Sequence, residues 1–279
     1  MSQALIDALL ERLAREPAVL VSVDATQGSA PREAGAWMGV FADGAAIGTV
    51  GGGHLEFEAI DQARRALAGE GLAPMRRFAL GPTLGQCCGG VVHLRFEAVQ
   101  PADATALRAR LEAVADAQRL PVALFGGGHV GHAIVQALLP LPVRVHWIDS
   151  RDEIFPTDLA RWVATEHSAP VQAAVADIAA LSRVLIMSFS HSEDLDIVAA
   201  CLQRQRERGD LPFVGLIGSK SKWAAFRHRL EARGFSAAEL AHITCPIGVA
   251  GVIGKEPAVI AAAVAAQLMQ QRGALAPCL

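Results

Sequence analysis

Tyrosine and asparagine are absent from this 279-residue chain, and aromatic residues make up only 5% of it. Cores must therefore be built from alanine, leucine, valine and isoleucine, and left-handed turn positions fall mainly to glycine or aspartate. Positive charge is not in excess, since 25 Lys and Arg stand against 28 Asp and Glu for a net charge of −3. The electrostatic footprint that grips a phosphate backbone is thus missing, and no nucleic-acid partner is expected. Long apolar runs are missing too. The longest, Ala258 to Met269, contains Gln267 and falls short of the roughly 18 residues a bilayer span needs, so a buried helix in a soluble protein with no membrane partner is expected. Five cysteines, two of them adjacent, fit no even disulfide framework, and no basic-then-apolar leader opens the chain; both predict a cytoplasmic location. What is present, 52% hydrophobic and 19% charged residues, excludes disorder of the whole chain and at this length suits two domains.

Leu5, Leu9, Leu10 and Leu13 recur at helical spacing, and Ala18 to Val23 then reads as a strand. A segment dense in Gly, Ser, Pro and Ala runs from Ala25 to His54 before Leu55, Ile60, Ala63 and Leu67 restore a helical face. Met75 to Leu80 and Val91 to Phe96 read as strands flanking a loop that carries Cys87 and Cys88. Pro101 to Arg119 reads as a helix capped by Asp103. From Leu120 onward strand and helix alternate, which implies a mostly parallel sheet covered on both faces. The fold class predicted is α/β: an N-terminal α+β domain with glycine-rich loops over 1–100, a helical linker over 101–119, and a C-terminal Rossmann-like domain over 120–279.

Gly126-Gly127-Gly128-His129-Val130-Gly131 satisfies G-x-G-x-x-G between a strand and a helix. Gly126 serves the tight turn, Gly128 the approach of backbone to phosphate and Gly131 the helix-on-strand packing, with His129 beside them. Asp149 ends the next strand, where an acid would accept a ribose hydroxyl, so NAD(P) is one candidate ligand and another phosphorylated molecule is a second. In the first domain Gly51, Gly52 and Gly53 precede His54 and a helix, and Arg32 offers a guanidinium fork; this reads either as a second anion contact or as a glycine-rich hairpin. Cys87 and Cys88 are candidates for sulfur transfer or molybdenum handling, or else two small buried residues. Beyond the strand ending near Ser188, either His191 touches a ligand or Ser192 merely caps a helix. Cys245 lies in a further loop at the same sheet end.

Gly28-Ser29-Ala30-Pro31-Arg32, Gly48-Thr49-Val50-Gly51-Gly52-Gly53-His54-Leu55-Glu56, Cys88-Gly89-Gly90, the Gly126 to Gly131 fingerprint, Asp149-Ser150-Arg151, Gly215 to Lys220 and Cys245-Pro246-Ile247-Gly248 lie in order along nearly the whole chain. Together they resemble the xanthine dehydrogenase accessory protein family (XdhC/CoxI type). The resemblance implies a chaperone that binds the molybdenum cofactor in its molybdopterin form and holds it while a cysteine desulfurase exchanges oxo for sulfido. It then delivers the cofactor to the molybdenum subunit of apo-xanthine dehydrogenase, without turnover of a substrate. Cofactor biosynthesis proteins are the further partners implied, and a shuttle handing cargo between symmetric partners is expected to be a homodimer. On that reading Cys88 approaches molybdenum, with Cys87 and Cys245 as the other candidates, and the cofactor lies in an interdomain cleft. The chain departs from the family's usual pattern over Ala250 to Pro257. An NAD(P)-dependent oxidoreductase, motivated by the fingerprint and Asp149, is the alternative, and a scaffold that only docks proteins is a third reading.

Overall fold

The computed structural model describes residues 3–80 and 89–272, and the chain forms two compact units, 1–118 and 119–279. The first contains, in order, α1 (Gln3–Leu13), β1 (Ala18–Gln27), β2 (Trp37–Val40), β3 (Ala46–Gly48), α2 (Gly53–Leu67), β4 (Met75–Ala79), β5 (Val91–Val99) and α3 (Ala104–Ala117). Its antiparallel sheet runs β3-β2-β1-β5-β4. Period-two alternation explains how the sheet is covered. Val19, Val21 and Val23 face Leu55, Ala59 and Ala63 of α2, whereas Ala18 and Leu20 face Ile6, Leu9 and Leu13 of α1 with Leu107 and Leu111 of α3.

The second unit contains β6 (Leu120–Phe125), α4 (His129–Leu138), β7 (Val143–Asp149), β8 (Val163–His167), β9 (Arg183–Ile186), α5 (His191–Arg208), β10 (Phe213–Leu216), α6 (Lys220–Ala232), α7 (Ala237–Leu240), β11 (Ile243–Thr244) and α8 (Pro257–Arg272). The strands are parallel throughout, in the order β11-β10-β9-β6-β7-β8. Leu124, Val145, Trp147 and Leu185 pack with residues of α4 and α8 on one face; Phe125, Ile148, Val184 and Ile186 pack with α5 and α6 on the other. The chain leaves β6 toward β7 on one side and reaches β9 on the other, so the strand order reverses beside β6. A crevice at the carboxyl ends of β6 and β9 is where open sheets of this kind bind ligands.

The α/β architecture agrees with the sequence reading, with local corrections. The Ala25 to His54 segment holds the end of β1 and the whole of β2 and β3; glycine there serves packing, since a Cβ on Gly39 would overlap Leu9 of α1. Asp103 stands at the N-cap of α3, but its side chain makes no capping bond there. A 3-10 turn over Pro101–Asp103 precedes the helix, and the Asp103 carboxylate accepts from the Gln100 amide instead. Ser190, rather than Ser192, caps α5 by accepting from the Glu193 amide at 3.2 Å. Among the described residues no helix is long and apolar enough to cross a membrane.

Candidate functional site

In the first unit three of the glycine strings meet. Gly51 has φ 134°, and the Pro31 ring lies 2.5 Å from where its Cβ would stand, with Arg32 exposed just beyond. A Cβ on Gly90 would overlap the Ser29 carbonyl, so Gly90 rests on the Gly28–Arg32 turn. The Leu80 amide donates to the Gly90 carbonyl at 2.7 Å. Cys87 and Cys88 themselves fall outside the described residues.

The amides ahead of α2 are partly taken by the chain's own Glu56. Its Oε2 accepts from the Val50 amide at 3.1 Å, the Gly52 amide at 3.0 Å and the Thr49 hydroxyl. Sequence reasoning gave Glu56 no part in this turn, although an acid one helical turn past a glycine run is where a carboxylate reaches back to free amides. Gly52, at φ 76°, has nothing within 4 Å of a Cβ position, so space remains beside it. His54 is exposed and pairs through Nε2 with Glu58 at 3.0 Å, and Glu58 also holds Arg76 at 3.2 Å.

In the second unit each glycine of the fingerprint has a separate duty. Gly126 sits at φ 127°, accepts from Trp147 Nε1 at 2.9 Å, and carries no Cβ because one would overlap the Met187 carbonyl just past the end of β9. A Cβ on Gly131 would overlap the Gly126 carbonyl, so this glycine permits α4 to lie against β6. Gly128 differs. It caps α4 without any side-chain bond, has φ −74°, and meets nothing within 4 Å of its Cβ position. Residues whose glycine is demanded by neighbouring protein atoms thus flank one whose missing side chain leaves open space at the helix start. His129, the first residue of α4, is exposed there.

Asp149 is brought to this turn and is 2% exposed. Its Oδ2 accepts from the Gly127 amide at 2.5 Å and from Arg151 Nη2 at 2.9 Å; its Oδ1 accepts from the Arg151 amide at 2.9 Å and Arg151 Nε at 2.8 Å. Burial by itself pushes the carboxyl pKa up, but the Arg151 fork and the two amides outweigh it and hold the group below the usual carboxylate range. The guanidinium lies over the Phe189 ring, 4.7 Å from its centroid.

The neighbouring loops supply a second cluster. Asp194, on α5, accepts from the Ser188 amide and hydroxyl at 2.8 Å each and from Lys222 Nζ at 2.6 Å, while Lys222 also donates to the Ile217 carbonyl at 2.9 Å. The half-buried Cys245 thiol lies 3.5 Å from the Cβ position of Gly218. Burial raises its pKa, the Lys222 cation lowers it and the Asp194 anion raises it, for a net rise. His191 begins α5, exposed, with its ring edge-on to Phe226 at 6.4 Å. By contrast Cys201 is fully buried on α5 and its pKa is pushed up to about 12 by desolvation. Alkylation of the native protein near neutral pH, read by peptide mass spectrometry, will mark Cys245 and spare Cys201; a labelled Cys201 in folded protein would contradict this placement. Among the described residues no group of three His, Cys, Asp or Glu side chains could hold a metal ion.

These features define a two-unit α/β protein whose second unit carries a Rossmann-type glycine turn at the carboxyl end of a parallel sheet. The model of the XdhC Rossmann domain matches residues 122–268, and that of the XdhC and CoxI family matches residues 12–79. The chain belongs to the XdhC/CoxI family. It is 29% identical over 262 residues to the uncharacterized protein YqeB of Escherichia coli K12, an alignment covering 91% of this chain and 43% of YqeB. The chain therefore spans less than half the length of that relative. A Bacillus halodurans crystal structure described as a xanthine dehydrogenase superposes with a TM-score of 0.71 at 19% identity, covering 98% of this chain and 96% of the other. That likeness extends the fold to both units.

Proposed function

We propose that this protein is a maturation factor for xanthine dehydrogenase that holds the molybdenum cofactor in its molybdopterin form and passes it on without turning over a substrate. The observation that carries this reading is the open space at Gly128. It leaves the backbone uncovered at a helix start whose amides favour a phosphate group. The family's tie to xanthine dehydrogenase supports the client. When bound, the cofactor supplies the redox and oxo chemistry of the client enzyme; the residues here bind and orient it. Within the second unit Gly126 and Gly131 fix the turn, and Gly128 and His129 border the phosphate. Cys88, with Cys87 and Cys245 as alternatives, supplies the thiol toward the metal. A cysteine desulfurase, cofactor biosynthesis proteins and a second copy of the chain are the proposed partners.

Protein purified from a host that makes the cofactor will retain a pterin that fluoresces after oxidation, and Gly128→Val will lower its occupancy about tenfold or more while the fold persists. Full occupancy in that variant would overturn the phosphate seat. Unchanged occupancy after replacing both Cys87 and Cys88 would remove the role given to those cysteines.

A further inference from the structure

A carboxylate has about four lone-pair sites, and Asp149 uses four: two for backbone amides and two for the Arg151 fork. In a dinucleotide site this carboxylate would receive the ribose hydroxyls of the adenosine half. Here Arg151 stands in that place, with its guanidinium backed by Phe189. Ribose hydroxyls would have to displace a bidentate contact between two ionised groups, whose fork geometry matches the carboxylate.

The turn after β7 closes the same side by bulk. Ile154 places both Cγ1 and Cγ2 2.7 Å from the Cβ position of Gly127, so its side chain lies on the middle of the glycine turn. The Ile154 carbonyl is 3.3 Å from His132 Nε2 on α4, which fastens the 152–154 turn to the helix it covers. Gly127 is buried, whereas Gly128 one residue later is exposed with open space beside it. The turn is thus obstructed on its β7 side and open at the helix start.

We infer that Arg151 and Ile154 are specificity-determining residues that occupy the adenosine position of a dinucleotide site, so that the second unit takes a phosphomonoester carrying no nucleoside on its β7 side. This rests on the glycine turn being the phosphate seat proposed above.

The test uses the full chain, stripped of bound ligand, in calorimetric titrations with NAD+ and, separately, inorganic phosphate. The unmodified protein will take phosphate and give no saturable heat with NAD+; no phosphate binding would overturn the inference. The double variant Arg151→Ala, Ile154→Ala frees the outer lone pairs of Asp149 and uncovers Gly127, and will bind NAD+ at least about tenfold more tightly than the unmodified chain. Saturable micromolar NAD+ binding with Arg151 in place would overturn the inference. So would a folded double variant with no gain. If the double variant does not fold, Phe189→Ala, which removes only the ring under the guanidinium, must show a smaller gain in the same direction, and its absence there overturns the inference equally. Pterin content of the same preparations separates this outcome from the proposed function. No pterin together with the NAD+ gain leaves the two residues' assignment standing and removes the chaperone reading; pterin together with micromolar NAD+ binding does the reverse.

Discussion

Gly126→Ala will lower the melting temperature of the second unit by about 5–20 °C, whereas Gly128→Ala will leave it within a few degrees of the unmodified protein. The two positions are separated by one residue and differ in what a methyl group would meet. At Gly126 the backbone lies at φ 127°, which costs an L-residue about 1–3 kcal/mol. The added Cβ would also overlap the Met187 carbonyl, a backbone atom that cannot swing aside, for about 1–3 kcal/mol more. One kcal/mol shifts the midpoint of a domain this size by about 2–4 °C. At Gly128 φ is −74° and nothing stands within 4 Å, so the same methyl group costs the fold little and intrudes only on a ligand. Circular dichroism melts decide the matter. Equal destabilisation at both positions would mean that Gly128 is structural after all, and the phosphate seat would lose its main support.

The second large effect concerns the buried pair of Asp194 and Lys222. Asp194→Ala leaves an ammonium group that is mostly sequestered, with the Ile217 carbonyl and the Phe226 ring as its remaining partners, and orphans the Ser188 amide. Breaking such a pair from one side costs about 3–5 kcal/mol, a large share of the roughly 5–15 kcal/mol that holds a domain folded. Chemical denaturation of the variant will show this loss. Lys222→Met, which retains bulk and leaves Asp194 two donors from Ser188, will cost less. The Cys245 thiol gives an independent readout, because it feels both charges. Without Lys222 its pKa rises further and alkylation slows; without Asp194 it falls and alkylation quickens. Matching rates in the two variants would contradict the placement of the thiol beside this ion pair.

The acid dependence of the glycine turn follows from the same electrostatics. Asp149 has a folded-state pKa below its ordinary value, so the stability it contributes is fully present above that ordinary value, near 4, and is lost as pH falls through the lower folded value. The Arg151 contact will therefore persist at every pH above about 4.

The fingerprint was legible because its outer glycines answer to the close packing of one strand-turn-helix unit and of the strand beside it. Gly126 and Gly131 are demanded by the backbone a few residues away or just past the end of the adjoining strand, and that demand is written into their spacing. The alternation along β1 and the strand-helix rhythm after Leu120 were legible for the same reason, since burial on one face imposes a period. What could not be read depends on how loops fold back. Nothing in Asp149-Ser150-Arg151 says that the arginine turns onto the aspartate two residues earlier, nor that Ile154 covers Gly127. Glu56 sat inside a string quoted for its glycines, and its reach to Val50 and Gly52 depends on the geometry with which α2 begins. Strands β2 and β3 were hidden because Gly39 and Gly48 make close contacts there, with Leu9 and with Trp37, in place of β-branched side chains. β8 was hidden because Val163 is its one buried residue.

Native mass spectrometry of the full chain, purified from a host that makes the molybdenum cofactor, tests the central claim most directly. The account predicts a bound mass that contains phosphorus and a pterin, present in the unmodified protein and depleted in Gly128→Val. A bare chain in both, or a bound nicotinamide dinucleotide in the unmodified protein, would contradict it.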